Sequence, residues 1–168
     1  MSQEINDQQD GQAGDDQLSL HPLCEEDFPW LLLWMTKENN ASLSLLLQTT
    51  KSSSEIIIIT GVINQHERVS LLTAYSAVFT RLRTAYTLQS GEYSIQQLQL
   101  NPLIYNKSVR FELLKQYIEY LIKKVAAKKI LWEINHLDKL YMDLAEKAGF
   151  NKSVVQGQVQ LTLYEYAG

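Results

Sequence analysis

The sequence predicts an α/β (α+β) domain in which six to seven strands and about four helices follow one another in mixed order. Two segments carry this prediction. Glu55–Asn64 (EIIIITGVIN) is β-branched and apolar on both faces, which is typical of a central strand in a sheet. Val109–Val125 places eight apolar residues on one helical face, which predicts a helix packed on that sheet.

The other elements follow from the same two periodicities and from Gly, Pro and Asn punctuation. In chain order, the sequence predicts a strand at Leu18–Leu23, helices starting near Glu25 and Asn39, a strand at Arg68–Ala77 in a hairpin with Glu55–Asn64, strands at Glu92–Asn101 and Lys128–Asn135, a helix at Leu137–Phe150, and one or two strands within Ser153–Tyr166. Residues 78–88 fit neither periodicity, so they either prolong the third strand or form a separate excursion.

The first seventeen residues differ from the rest in composition. Met1–Gln17 contains five acids and no Lys or Arg, and it has no apolar face to bury, so we expect a disordered acidic tail. Residues 18–168 then form one domain with fourteen acids against fifteen Lys and Arg. A nearly neutral domain without a basic stripe argues against nucleic-acid binding.

The chain shows no secretory signal and no apolar run long enough to span a bilayer, so the default expectation is a cytoplasmic protein without a membrane partner. Cys24 is the only cysteine, which excludes an intramolecular disulfide. The three histidines (His21, His66 and His136) have no spacing typical of metal ligands, and no metal site is predicted.

The stretch Leu98–Lys124 (LQLNPLIYNKSVRFELLKQYIEYLIKK) predicts a strand that ends at Asn101-Pro102 and turns into the long helix. A helix N-terminus after a strand is a common anion site, because its first N–H groups lack helical partners. Glycine, which lets an anion reach those groups, is missing between Gly91 and Gly149. Two interpretations stay open: an anion site that uses Lys107 and Arg110, or a plain helix start capped by Asn106 or Ser108.

The element order resembles that of the GNAT superfamily of acyl-CoA N-acyltransferases. Three stretches carry the resemblance, and together they span Leu18 to Tyr166: LSLHPLCEEDFPWLLLWM, LNPLIYNKSVRFELL and KKILWEIN followed by LAEKAGF. The resemblance implies a mostly antiparallel sheet, with acyl-CoA in a splayed gap between the fourth and fifth strands. It also implies acetyl transfer to an amine of a small molecule or protein, by a monomer or homodimer.

Carried onto this sequence, the family pattern implies a set of cofactor-binding residues in the fourth strand, the turn after it and the end of the fifth strand. They are Leu98, Leu100, Asn106, Lys107, Ser108, Val109, Arg110 and Asn135. The family usually has glycine where this chain has Ser108, and glycine or alanine where it has Arg110. Asn135 at a strand end is equally typical of a turn.

Two catalytic candidates follow from the same comparison. Many members carry a tyrosine where this chain has Ala145, and Tyr141 lies one turn earlier on the same helical face. Tyr141 is therefore either the acid that protonates the thiolate or an aromatic residue at the core edge. Glu92 and Glu133 are acids near the expected cleft that can deprotonate an amine, although alternation with Leu131 and Asn135 leaves the face of Glu133 open.

The departures from the family pattern support a second hypothesis. A chain that lacks the loop glycines and the usual tyrosine can keep the fold as a catalytically silent binding or scaffold module. Acyl-CoA binding separates the two hypotheses, and the sequence does not define the acceptor or the acyl chain.

Overall fold

The computed structural model describes residues 17–34, 45, 48, 50–84, 86–103, 107–153 and 161–168. The strands are β1 (Leu18–Pro22), β2 (Ile56–Ile63), β3 (Glu67–Ser76), β4 (Glu92–Leu100), β5 (Lys129–Asn135), β6 (Asn151–Ser153) and β7 (Leu161–Ala167). The α-helices within the described residues are α1 (Phe28–Trp34), α2 (Lys107–Lys123) and α3 (Lys139–Lys147), and residues 50–52 are also helical. Short 3₁₀ helices cover Glu25–Asp27, Ala77–Phe79 and Arg81–Thr84.

The strands form one sheet in the order β1-β2-β3-β4-β5-β7-β6. Every neighbouring pair is antiparallel except β4 and β5, which are parallel because α2 carries the chain back over the sheet between them. The predicted mixed, mostly antiparallel sheet is therefore confirmed. The segment 78–88, left open by the sequence, is an excursion with 3₁₀ turns rather than a longer strand.

Helices α2 and α3 cover one face of the sheet, which we call the helix face. The main core lies there and includes Ile59, Leu72, Ile95, Trp132 and Tyr164. The predicted orientation of α2 is confirmed. Its inward residues Leu113, Tyr117 and Leu121 are fully buried, Val109 packs against the same core, and the intervening Lys115, Glu119 and Lys123 are exposed.

Tyr117 fixes α2 on the sheet through a buried hydroxyl. The Tyr117 Oη lies 2.7 Å from Ser70 Oγ and donates to the Ile59 carbonyl at 3.3 Å. This approach requires Gly61 in β2, because a Cβ there would collide with Ser70 Oγ and come within 3.0 Å of Tyr117 Oη. A hydrogen bond of this kind holds the helix at one height over the strands.

The opposite face of the sheet carries two smaller apolar clusters. One packs α1 on β2 and β3 through Leu31, Ile58 and Leu71, with Leu23 at its edge. The other packs the 77–88 excursion on β5 and β7 and contains Ala77, Leu82, Leu131 and Leu163, with Tyr86 and Leu88 against them. The second half of β4 lies between these clusters, and its Gln96 and Gln97 side chains are exposed there.

Some sequence predictions fall outside the described residues. These are nearly all of the Met1–Gln17 tail and most of the helix predicted from Asn39. Gln17 is described, and its backbone continues the sheet edge: its carbonyl accepts from the Asn64 N–H at 3.0 Å, and its N–H donates to Asn64 Oδ1 at 3.2 Å. The boundary between tail and domain remains a prediction. Among the helices of the described residues, none has the length and hydrophobicity needed to cross a membrane.

The Leu113→Ala substitution tests whether α2 packs on the sheet as described. Leu113 is 0% exposed, so truncation should lower the free energy of unfolding by about 2–5 kcal/mol, the cost of a large-to-small change in a core. Chemical denaturation measures this, with Lys115→Ala on the solvent side of the helix as the control. A decrease in the free energy of unfolding of less than about 1 kcal/mol would show that α2 does not pack on the core.

Candidate functional site: a gap between two parallel strands

Strands β4 and β5 pair over only part of their length. The parallel register runs from Glu92 opposite Lys129 to Ile95 opposite Trp132, and both strands continue beyond it. The open segment between β4 residues 96–100 and β5 residues 133–135 is called the β4–β5 gap below. It lies where the sequence-based resemblance places the splay.

A β-bulge in β4 accounts for the gap. Thr73 of β3 pairs with Gln97 and Ala74 pairs with Ile95, so Gln96 is an extra residue without a partner in β3. An extra residue bends its strand and increases the local twist. Pairing with β5 ends at Ile95, immediately before this residue, so the bend directs the rest of β4 away from β5.

Tyr141 bridges the gap on the helix face. Its hydroxyl donates to the Leu98 carbonyl at 2.8 Å, and its ring centroid lies 5.7 Å from that of Trp132. Asp138 fixes the start of α3 by accepting from the Tyr141 N–H at 3.3 Å. Tyr141 therefore packs at the edge of the main core and contacts both β4 beyond the bulge and β5 at its last paired residue.

The surroundings of Tyr141 keep its hydroxyl protonated. Burial raises the pKa of Tyr141 above its ordinary value, the Asp138 carboxylate adds to the rise, and the Arg110 charge opposes it. A phenol held in this way stays protonated and acts as a hydrogen-bond donor. The opposing effect of Arg110 also shows that its charge acts on Tyr141 from the start of α2.

The start of α2 presents cations toward α3. Lys107 and Arg110 line a cavity of about 90 Å³ between the two helices, with Phe111, Leu140, Asp143, Leu144 and Lys147. Lys107 and Ser108 are exposed, whereas Val109 and Arg110 are partly buried. Three cations and one carboxylate in one cavity favour an anionic group, and the α2 N-terminus adds its dipole.

Sequence reasoning missed Lys147 as part of this cavity. The signal was present in the helix periodicity: Leu140, Leu144 and Lys147 follow one another at i, i+4 and i+7, so they share one side of α3. Only the packing of α3 beside α2 brings that side to Arg110.

The predicted cofactor residues have different positions relative to the gap. Leu98 and Leu100 lie on its β4 side, but the Leu98 side chain is 6% exposed and packs in the main core, so its backbone is what faces the gap. Asn106 lies outside the described residues. Asn135 ends β5. Its side-chain Oδ1 accepts a hydrogen bond from the Leu137 N–H at 2.9 Å and so stabilises the turn into α3.

Glu92 requires a correction. It is the first residue of β4, at the paired end of the two strands and therefore at the far end from the gap. Its carboxylate is buried, lies 3.2 Å from Lys129 Nζ and accepts from the Gln89 N–H at 3.0 Å. These contacts make Glu92 a structural residue at the start of β4, outside the candidate site.

A second polar cluster, away from the gap, surrounds the buried Asp27. His21, Cys24 and Asp27 bring one potential ligand atom each within 4.8 Å of the others, although their sequence spacing did not indicate a metal site. Both Asp27 oxygens already have partners: Arg68 Nε at 2.8 Å on Oδ1, and Thr60 Oγ1 and the Cys24 N–H, each at 3.0 Å, on Oδ2.

The groups around Asp27 stabilise its ionised carboxylate and the protonated form of the Cys24 thiol. Burial pushes the pKa of Asp27 upward, but the Arg68 hydrogen bond, the Cys24 N–H and the other partners outweigh it and hold that pKa below its usual value. Burial and the neighbouring acids raise the pKa of the Cys24 thiol to about 11, so it is a poor nucleophile. The network joins β1, the first 3₁₀ turn, β2 and β3.

Comparison with known proteins agrees with this geometry at the level of the fold. No protein-family model and no curated protein matches the sequence. Solved structures do match. The aminoglycoside acetyltransferase AAC(6')-Ib, in complex with ribostamycin and coenzyme A, is similar with a TM-score of 0.73 and 14% identity over 90% of this chain and 94% of that chain.

Two further structures have the same architecture. Spermidine N-acetyltransferase from Vibrio cholerae, in complex with CoA and spermine, gives a TM-score of 0.69 and 14% identity, covering 90% of this chain and 95% of that chain. An uncharacterized protein from Bacillus halodurans gives 0.74 and 18%, covering 90% and 84%. At these identities the likeness shows the fold: this chain has the fold of the GNAT N-acetyltransferases.

The Tyr141→Phe substitution tests the bridge across the gap. Without the hydroxyl, the Leu98 carbonyl loses its partner in a partly buried position, so the free energy of unfolding should fall by about 1–3 kcal/mol. Urea denaturation measures the change, and Tyr120→Phe, at a partly exposed position of α2, is the control. Equal unfolding curves for Tyr141→Phe and the parent would show that the bridge does not form in solution.

Proposed function

We propose that the protein is an acyl-CoA-dependent N-acyltransferase that transfers an acyl group, most simply acetyl, to an amine. The observation that carries the proposal is the bulge-induced β4–β5 gap, which exposes strand backbone in the middle of the sheet. Backbone groups that are already oriented are suited to bind an extended amide chain and to polarise a thioester carbonyl. The structural neighbours AAC(6')-Ib and spermidine N-acetyltransferase, both solved with coenzyme A, support the same proposal.

The backbone of Leu98 is the proposed contact for the acyl-pantetheine arm. Its carbonyl points into the gap, since Tyr141 reaches it there. The N–H and carbonyl of one strand residue point to the same edge, so the Leu98 N–H also faces the gap. In this proposal the arm takes the place of β5 as the hydrogen-bonding neighbour of β4, with Leu98 and Leu100 as its partners.

The phosphates of the cofactor are assigned to the start of α2. Lys107, Arg110 and Lys147 supply positive charge around the cavity between α2 and α3, together with N–H groups of the first turn, including those of Ser108 and Val109. Side-chain cations in this arrangement replace the close backbone approach that glycine allows. The Asp143 carboxylate in the same cavity offsets part of this attraction.

Tyr141 is the proposed proton donor to the leaving thiolate. The acceptor nitrogen forms a bond to the acyl carbon, and the carbon–sulfur bond breaks. The thiolate takes the phenolic proton, the nitrogen releases its own proton to solvent, and the Tyr141 phenolate takes a proton back from solvent. The raised pKa of Tyr141 keeps its hydroxyl protonated before the thioester arrives. The hydroxyl must leave the Leu98 carbonyl for this step, and the arriving arm supplies the competing hydrogen bond.

A second candidate function is a catalytically silent binding module. The observation that favours it is the same Tyr141 hydrogen bond, which occupies a backbone acceptor inside the gap. The lack of glycine at the start of α2 points in the same direction. In this case no acyl chain enters the sheet, and the protein acts only by binding partners on its surface.

Titration with coenzyme A, with and without the Arg110→Gly substitution, separates the two functions. If Arg110 clasps the phosphates, its loss should weaken binding by about 1.5–3 kcal/mol, the value of a hydrogen bond to a charged group. Calorimetry measures the affinity, and Lys123→Gly at the far end of α2 controls for the helix cost of glycine.

Two other outcomes have defined meanings. Tighter binding by Arg110→Gly than by the parent would show that Arg110 blocks the helix N-terminus rather than clasping the ligand. A parent and a variant that both fail to bind coenzyme A at millimolar concentration would contradict the acyltransferase proposal and favour the silent module.

A further inference from the structure

Strand β4 presents the backbone of two residues to the β4–β5 gap. The Asn101 N–H donates to the Val69 carbonyl of β3 at 2.8 Å, so the backbone groups of Asn101 face β3. Successive residues of a strand alternate between its two edges, so Leu98 and Leu100 direct their N–H and carbonyl groups away from β3. Since β5 pairs with β4 only as far as Ile95, these groups point into the gap.

One of these backbone groups is bonded to Tyr141. The Tyr141 hydroxyl donates to the Leu98 carbonyl at 2.8 Å, and the Tyr141 ring centroid lies 5.7 Å from that of Trp132 in β5. Leu98 belongs to the free part of β4, and Trp132 is the last paired residue of β5. A single side chain on the helix face therefore ties the two strands together where their backbone pairing has ended.

The two ends of the Tyr141 residue are held differently. Its backbone is fixed at the start of α3, because Asp138 caps the helix and accepts from the Tyr141 N–H at 3.3 Å. Its hydroxyl is held by the hydrogen bond to the Leu98 carbonyl. The net contribution of one hydrogen bond corresponds to about a threefold to tenfold change in an equilibrium, so a ligand donor is able to replace it.

The proposed position of the cofactor brings its arm to this tie. The phosphates are assigned to the cavity between α2 and α3, which is lined by Lys107, Arg110 and Lys147 and lies on the helix face. From there the acyl-pantetheine arm enters the gap, and Tyr141 spans the gap on the same face. The arm carries amide N–H groups, which are donors for the Leu98 carbonyl. The arm and the Tyr141 hydroxyl therefore compete for one acceptor.

We propose that Tyr141 is a latch: its hydrogen bond to the Leu98 carbonyl holds the β4–β5 gap closed, and the amide arm of acyl-CoA opens the gap by taking over that carbonyl. This inference rests on the proposed acyltransferase function. Arrival of the thioester and release of the hydroxyl are then one event, so the proton donor is freed only when its substrate lies in the gap. A ligand that has the phosphates but no amide arm leaves the latch closed.

Calorimetric titration with coenzyme A and with adenosine 3′,5′-bisphosphate, which lacks the arm, tests the latch without requiring turnover. Tyr141→Phe keeps the ring beside Trp132 and removes the hydroxyl. The variant should bind coenzyme A about threefold to tenfold more tightly than the parent, because no hydrogen bond has to be replaced. Both proteins should bind the bisphosphate equally. Tyr120→Phe, at a partly exposed position of α2, is the matched control and should bind both ligands like the parent.

A second measurement on the parent keeps the test independent of whether Tyr141→Phe folds. In protein labelled with ¹³C at the tyrosine Cζ atoms, the Tyr141 signal should shift when coenzyme A is added, because the hydroxyl loses the Leu98 carbonyl as its acceptor. The same signal should stay in place when the bisphosphate is added. A Tyr141 signal that is identical with and without saturating coenzyme A overturns the inference.

The titrations distinguish failure of the latch from failure of the proposed function. Coenzyme A binding that is equal or weaker in Tyr141→Phe than in the parent overturns the latch and leaves the acyltransferase proposal in place. Tighter binding of both ligands by the variant also overturns the latch, because the effect would not depend on the arm. A parent that binds neither ligand contradicts the acyltransferase proposal and the latch with it.

Discussion

The extra residue at Gln96 in β4 is the constraint on which the candidate site depends. It interrupts the β3–β4 register, and the parallel pairing with β5 stops immediately before it. The sheet thereby gives up hydrogen bonds at its centre, where strands are normally paired on both edges. Two hydrogen-bonded tyrosines lie around this break: Tyr117 fixes α2 over β2 and β3, and Tyr141 joins the free part of β4 to α3. Bulges are enriched beside functional sites for this reason.

The two faces of the sheet supply different chemistry at this break. The proposed cofactor site uses the helix face, where the cations at the start of α2 and the protonated hydroxyl of Tyr141 lie. The opposite face carries Glu133 and Glu165, beside the buried Leu131 and Leu163. At the other edge of the sheet, the Asp27 network joins β1, β2 and β3.

Much of this architecture could be predicted from the sequence, because the strongest elements have unambiguous periodicity. The isoleucines of β2 predict a strand that is paired on both edges, and the apolar face of α2 predicts the helix that covers the sheet. Gly149, with φ +94°, follows the end of α3 in the left-handed conformation expected after a helix. The bulge could not be predicted, since Gln96 and Gln97 interrupt the alternation of β4 without glycine or proline to mark it. Glu92 was misplaced because a strand pattern does not show which end of the strand remains paired. The cluster around Asp27 joins residues far apart in sequence, which only the pairing of β1, β2 and β3 brings together.

The central claim, that an acyl-CoA arm completes the β4 edge opened by the bulge, is tested most directly by amide hydrogen exchange at Leu98 and Leu100. With acetyl-CoA at a concentration about 100 times its dissociation constant, bound-state stabilisation reaches about 2.7 kcal/mol, enough to resolve slower exchange of amides that the ligand protects. Residue-resolved exchange with and without acetyl-CoA should show new protection at the gap-facing amides of β4, while the amides of β1 at the far edge of the sheet change little. Tight binding of acetyl-CoA with unchanged exchange at Leu98 and Leu100 would contradict the account, because the cofactor would then lie outside the gap.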